Sequence, residues 1–119
     1  MNIPNISYHN FALLWEAALS ATDRELFVSE WRSSAIWGEP WDIKEKELIY
    51  IADYCMRVYE IAHMEIKEMI KKANMTQTVF AERFCIPKRT VENWCGKTSA
   101  ARKPTDWQRL LIARQLGFI

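Results

Sequence analysis

The chain has 119 residues, 50% of them apolar and 26% charged, with only 3 Gly and 4 Pro. Such a composition excludes extended disorder and fits one compact domain or at most two small ones. Sixteen Lys and Arg against fifteen Asp and Glu leave a net charge of +1, which at face value argues against a strongly basic nucleic-acid binder. That average hides a segregation. Residues 1–60 carry ten acids and five bases, net −5, whereas residues 61–119 carry five acids and eleven bases, net +6.

Met1 to Asn10 has neither the basic start nor the apolar core of a signal peptide, and no apolar run is long enough to span a bilayer. A cytoplasmic protein without a membrane partner is therefore expected. Cys55, Cys85 and Cys95 form an odd set without a CxxC pair, which suits reduced, mostly buried thiols.

Scarce Gly and Pro and repeated i, i+3, i+4 apolar spacing predict an all-α fold. The first helix is expected from about Asn10 to Ser20, with Phe11, Leu14, Trp15, Ala18 and Leu19 in one stripe. A second starts near Asp23 with Thr22 as N-cap, carries Leu26, Phe27, Glu30 and Trp31, and stops near Trp37-Gly38. After the Gly38-Glu39-Pro40 break, Asp42 can cap a helix with Leu48, Ile51, Ala52, Cys55 and Tyr59 on one face. The same phase runs on through Ala62, Ile66, Met69 and Ala73, with a break expected near Ala62 to Met64. Trp15, Trp31, Trp37 and Trp41 all fall in the acidic half, where core filling is a simpler role than a ligand pocket.

The stretch from Thr76 to Gly96 is the most informative. Thr76 can cap a short helix whose inward residues are Phe80, Ala81 and Phe84, and Ala81 is small where another helix must cross closely. Ile86 fills the corner, Pro87 opens a second helix with Val91 and Trp94 inward, and Gly96 can end it in a left-handed conformation. Two short helices joined tightly, the second exposing Lys88, Arg89, Thr90 and Asn93, suit insertion into a DNA major groove.

This stretch resembles the Cro/CI-like (XRE-like, lambda-repressor-like) helix-turn-helix family. Thr76, Gln77, Phe80, Ala81, Phe84, Ile86, Thr90, Val91, Trp94, Gly96 and Pro104 occupy the slots of that family's motif. The resemblance covers about residues 62–116, with Met64 to Ala73 as the preceding helix and Thr105 to Leu116, stopped by Gly117, as the following one. It implies a DNA-binding helix-turn-helix bundle over residues 62–119 and leaves the acidic half unexplained; residues 1–61, read from their periodicity as a segment of about three helices, are open to dimerisation or partner binding.

Two departures stand out. Cys85 occupies the turn position where the family usually has Gly; positive φ there costs a side chain about 1 kcal/mol or more. The loop from Lys97 to Lys103 is longer than usual, so its bases are candidates by charge alone.

By the resemblance, Lys88, Arg89 and Asn93 face base edges, where Arg or Lys suits guanine and Asn suits adenine. Gln77 resembles the family's phosphate-binding or bracing residue, while Thr78, Thr90, Lys97 and Arg102 are expected on the backbone.

Nothing comparable points to chemistry. His9 and His63 have no metal-ligand partner beyond Glu60, three residues before His63, and the three glycines are too dispersed for a phosphate loop. No catalytic residue, metal or cofactor is expected. The expected function is a sequence-specific DNA-binding regulator, a repressor acting as a homodimer on a palindromic operator, with the acidic helices or Phe118 and Ile119 as dimer surface. A second class stays open: the acidic half binds another protein, as in an antitoxin or a mobile-element inhibitor of a host protein, with the basic half used for autoregulation.

Overall fold

A computed structural model describes residues 4–96 and 102–119. Among them the chain is all-α, with seven α-helices, two single-turn 3-10 helices and no strand. The helices are α1 (Tyr8–Ser20), α2 (Arg24–Trp31), α3 (Glu45–Ala62), α4 (Ile66–Lys72), α5 (Gln77–Phe84), α6 (Lys88–Cys95) and α7 (Asp106–Gln115). The chain divides into two compact units, one of Met1–His63 with Ile119 and the other of Met64–Phe118. The division falls two residues after the boundary placed between residues 61 and 62.

In the first unit α1 and α2 each pack on α3. Phe11, Leu14, Trp15 and Ala18 of α1 are buried as the spacing predicts, while Leu19 is only half-buried. Phe11 stacks on Trp15 at 6.5 Å between ring centroids, and Tyr54 of α3 meets Phe11 and Trp37 in edge-to-face pairs. Core filling therefore describes Trp15 well. Trp31 and Trp37 are half-buried, the Trp37 indole donating to the Trp31 carbonyl at 2.7 Å, and Trp41 is 78% exposed.

Three N-terminal details differ from expectation. Asp23, not Thr22, caps α2: its carboxylate accepts from Leu26 N at 3.0 Å, and a carboxylate also suits the positive end of the helix. That helix ends at Trp31, and the chain reaches Gly38 through a 3-10 turn over Ala35–Trp37. Asp42 does not cap α3 but closes a second 3-10 turn, Pro40–Asp42, and the α3 cap position is Lys44 without a side-chain bond. The buried row of α3 is Ile51, Tyr54, Cys55, Val58, Ile61 and Ala62, so Leu48, Ala52 and Tyr59 lie off it. The break expected near Ala62 to Met64 is present, with α3 ending at Ala62.

In the second unit Phe80 and Ala81 of α5 and Val91 of α6 are buried, together with Ile66, Met69 and Ile70 of α4 and Ile112 and Ala113 of α7. Both α4 and α5 pack against α6. Phe84 and Ile86 are half-buried, and Phe80 and Phe84 meet at 4.7 Å. Arg109 ties α7 down: it donates to the Met64 carbonyl at 2.9 Å and pairs with Asp106 at 2.8 Å. Phe118, expected to be exposed, is half-buried with the Lys72 ammonium 5.0 Å from its ring, and Ile119 is half-buried too.

Cysteine burial also needs correcting. Cys55 is buried, Cys95 half-buried and Cys85 exposed, and all three are free thiols. Cys55 and Cys95 lie in α3 and α6, whereas Cys85 stands in the turn after α5.

Candidate nucleic-acid interface

Helix α5 begins where the sequence places it. The Thr76 hydroxyl accepts from Val79 N at 3.1 Å, satisfying one of the donors that a helix start leaves open. At the other end Ile86 N donates to the Ala81 carbonyl at 2.9 Å and Cys85 N to the Glu82 carbonyl at 3.2 Å. This paired closure needs a left-handed residue, and Cys85 supplies it at φ 53° and ψ 40°. The turn takes its left-handed residue without a glycine, and the strain is accepted.

Pro87 has extended backbone, φ −53° and ψ 132°, and stands at the cap of α6 rather than inside its first turn. Its carbonyl accepts from Thr90 N at 2.9 Å, so it still launches the helix. Gly96 does not take the left-handed conformation expected of it; at φ −68° and ψ 151° it is extended. The carbonyls at this end are instead met by Lys103, whose Nζ donates to Trp94 O at 3.0 Å and Gly96 O at 2.7 Å. A lysine that charge alone nominated for phosphate is thus engaged in closing α6.

With Val91 fully buried, the 100° step of an α-helix fixes where the other side chains of α6 stand. Arg89 and Asn93 fall on the side opposite Val91, and both are exposed. Lys88 is exposed at the N-terminal end, and Thr90 is half-buried on the flank. Glu92, also exposed, shares the row of Lys88, but no ion pair joins them. Glu92 carries no donor, the signal by which Lys88, Arg89 and Asn93 stand out in the sequence, yet its carboxylate can accept from a cytosine amino group.

Thr90, Asn93 and Arg102 line one open cleft of about 450 Å³ together with Trp94, Lys103 and Gln108. Its lower wall is organised by the α7 start, where Thr105 and Gln108 form a reciprocal cap: Thr105 N donates to Gln108 Oε1 at 2.8 Å and Gln108 N to Thr105 Oγ1 at 3.3 Å. Gln77 is half-buried and Thr78 exposed at the start of α5, and neither lines this cleft. Lys97 lies outside the described residues.

Burial raises the Cys95 thiol above its ordinary value, with the nearby Lys103 and Lys67 ammoniums opposing the shift. His63, the remaining sequence candidate for chemistry, donates from Nε2 to the Ala18 carbonyl at 2.8 Å, and Glu60 pairs with Arg24 at 3.4 Å. Among the described residues no group of three or more His, Cys, Asp or Glu is placed to hold a metal ion, and no helix is long and apolar enough to cross a membrane. No protein-family model, curated protein or solved structure matches the chain.

Proposed function

We propose that this chain is a cytoplasmic, sequence-specific DNA-binding regulator, in which α5 and α6 act as a lambda-repressor-like helix-turn-helix and α6 enters the major groove. The observation that carries this reading is the arrangement of α6: Val91 anchors one side while Arg89 and Asn93 stand exposed opposite it, Arg89 in the first turn, the end a recognition helix turns to the bases, and Asn93 one turn further on. Asn93 and Arg102 border the same cleft, so a base-reading group and a phosphate-binding group are neighbours. Gln77 and Thr78 offer a second backbone contact at the α5 N-terminus. One such helix reads only a few base pairs, so the proposal includes a homodimer on a palindromic operator, with promoter occlusion as the simplest output.

The direct test is selection of binding sites from random duplex DNA, run at two salt concentrations. A palindromic consensus is expected. On that site Arg89→Ala or Asn93→Ala should each lose about 1 to 3 kcal/mol of binding free energy. An enriched site whose affinity neither substitution changes would remove α6 from the role given to it.

A further inference from the structure

Glu92 is the single acid among the eight residues of α6, and it is exposed. Counted round the helix from the buried Val91, Lys88 stands at about 60°, Glu92 at about 100°, Arg89 at about 160° and Asn93 at about 200°. Four exposed polar side chains therefore share one arc, and Glu92 lies inside it, between Lys88 and Arg89. It is the i+4 neighbour of the first and the i+3 neighbour of the second, spacings that suit an ion pair, yet it makes none with either. The carboxylate is left as an acceptor facing the same way as the two cations.

A free carboxylate on this face is unfavourable against phosphate, which repels it. It becomes favourable only where a base edge offers a donor. In the major groove guanine presents two acceptors, and thymine an acceptor and a methyl group. Adenine sets its amino group beside the N7 acceptor, which repels the second carboxylate oxygen; cytosine presents its amino group alone. Glu92 also lies about 4.5 Å further along α6 than Arg89, slightly more than the roughly 3.4 Å rise of one base pair. We propose that Glu92 is a specificity-determining residue, its carboxylate accepting from the amino group of a cytosine in the base pair next to the one whose guanine Arg89 binds. This rests on the reading of α6 as a DNA-recognition helix and adds which neighbouring base that helix demands. Discrimination here comes as much from repulsion as from the bond, since any other base leaves the carboxylate without a donor or beside an acceptor.

Sites are selected from random duplex DNA in parallel with the full-length parent, Glu92→Ala and Glu92→Gln. The parent's consensus should hold a cytosine next to the position that Arg89→Ala relaxes. Glu92→Ala should lose the preference at that cytosine alone and bind random duplex several-fold more tightly. Glu92→Gln should move the preference toward adenine, whose N6 and N7 suit an amide. Replacing the cytosine in the selected site should weaken the parent roughly tenfold and Glu92→Ala less than about twofold. Because Glu92 is exposed, both variants should melt with the parent. A parent that enriches no site removes the DNA reading and this inference with it. A site that depends on Arg89 and Asn93 but lacks that cytosine, or keeps it just as sharply in both Glu92 variants, overturns this inference and leaves the DNA reading standing.

Discussion

Cys85 shows that a residue without glycine's freedom can still hold a left-handed helix stop. Three helices of the second unit close with the same paired bonds, and their left-handed residues are Asn74 at φ 57°, Cys85 at φ 53° and Gly117 at φ 78°. Asn tolerates this region, Gly favours it, and Cys has neither advantage. Cys85→Gly should therefore stabilise the chain by about 0.5 to 1 kcal/mol in urea unfolding, and Asn74→Gly by less. Gly117→Ala should destabilise it by about 1 kcal/mol from the backbone angle alone, because an added Cβ there meets nothing within 4 Å. The conflict at Cys85 was readable in the sequence as a missing glycine; its resolution was not, because only the backbone shows which side yields. Burial pushes Cys55 up to about 12, so maleimide labelling followed by mass spectrometry should modify Cys85 first, then Cys95, and Cys55 only on unfolding. The folded chain keeps the Cys55 proton to higher pH than the unfolded chain does. Stability is untouched below the ordinary thiol value and falls as pH rises from there toward 12, a decline that Cys55→Ala should remove.

Helix ends were legible where the side chain acts on its own backbone. Thr76 and Thr105 cap as expected because a hydroxyl one turn ahead of a free N–H needs no tertiary partner. Asp23 and Asp42 were less legible, since each has a competing neighbour or a competing 3-10 turn. The phase of α3 failed for a different reason: a stripe drawn from composition includes Leu48, but the partner helices cover only the row beginning at Ile51. At the end of α6 the nearest glycine suggested a left-handed stop, whereas the carbonyls are met by a lysine seven and nine residues further on. That long-range cap gives Lys103 and Arg102 different expected effects although they are adjacent cations. Arg102→Ala should lower the slope of log K against log salt for DNA by about one unit. Lys103→Met should leave that slope unchanged and weaken binding by loosening α6, with a fall in thermal stability that Arg102→Ala does not share. Equal slopes for both variants and the parent would take Arg102 off the phosphate backbone.

For the whole molecule, near-neutrality is the sum of an acidic three-helix unit and a basic four-helix unit, and the segregation has a consequence for selectivity. Non-specific affinity for DNA comes almost entirely from counterion release at phosphates, so a molecule with net charge +1 is held to random sequence more weakly than its basic unit would be. The base-edge contacts proposed for the α6 side chains are direct ones that depend far less on the total charge. Removing acids far in sequence from α6 should therefore raise non-specific binding more than specific binding. The variant Glu16→Gln, Glu30→Gln, Glu39→Gln and Glu47→Gln adds four charges to the net +1 without touching an ion pair or a side-chain cap bond. Its affinity for random duplex at low salt should rise several-fold while affinity for the selected site rises less. At 1 M salt, where the screening length is about 3 Å, the difference should vanish. Equal increases on both DNAs would mean that the acidic unit weakens all DNA binding alike and contributes nothing to discrimination; a rise confined to random duplex at low salt ties the division of charge between the two units to the choice of site.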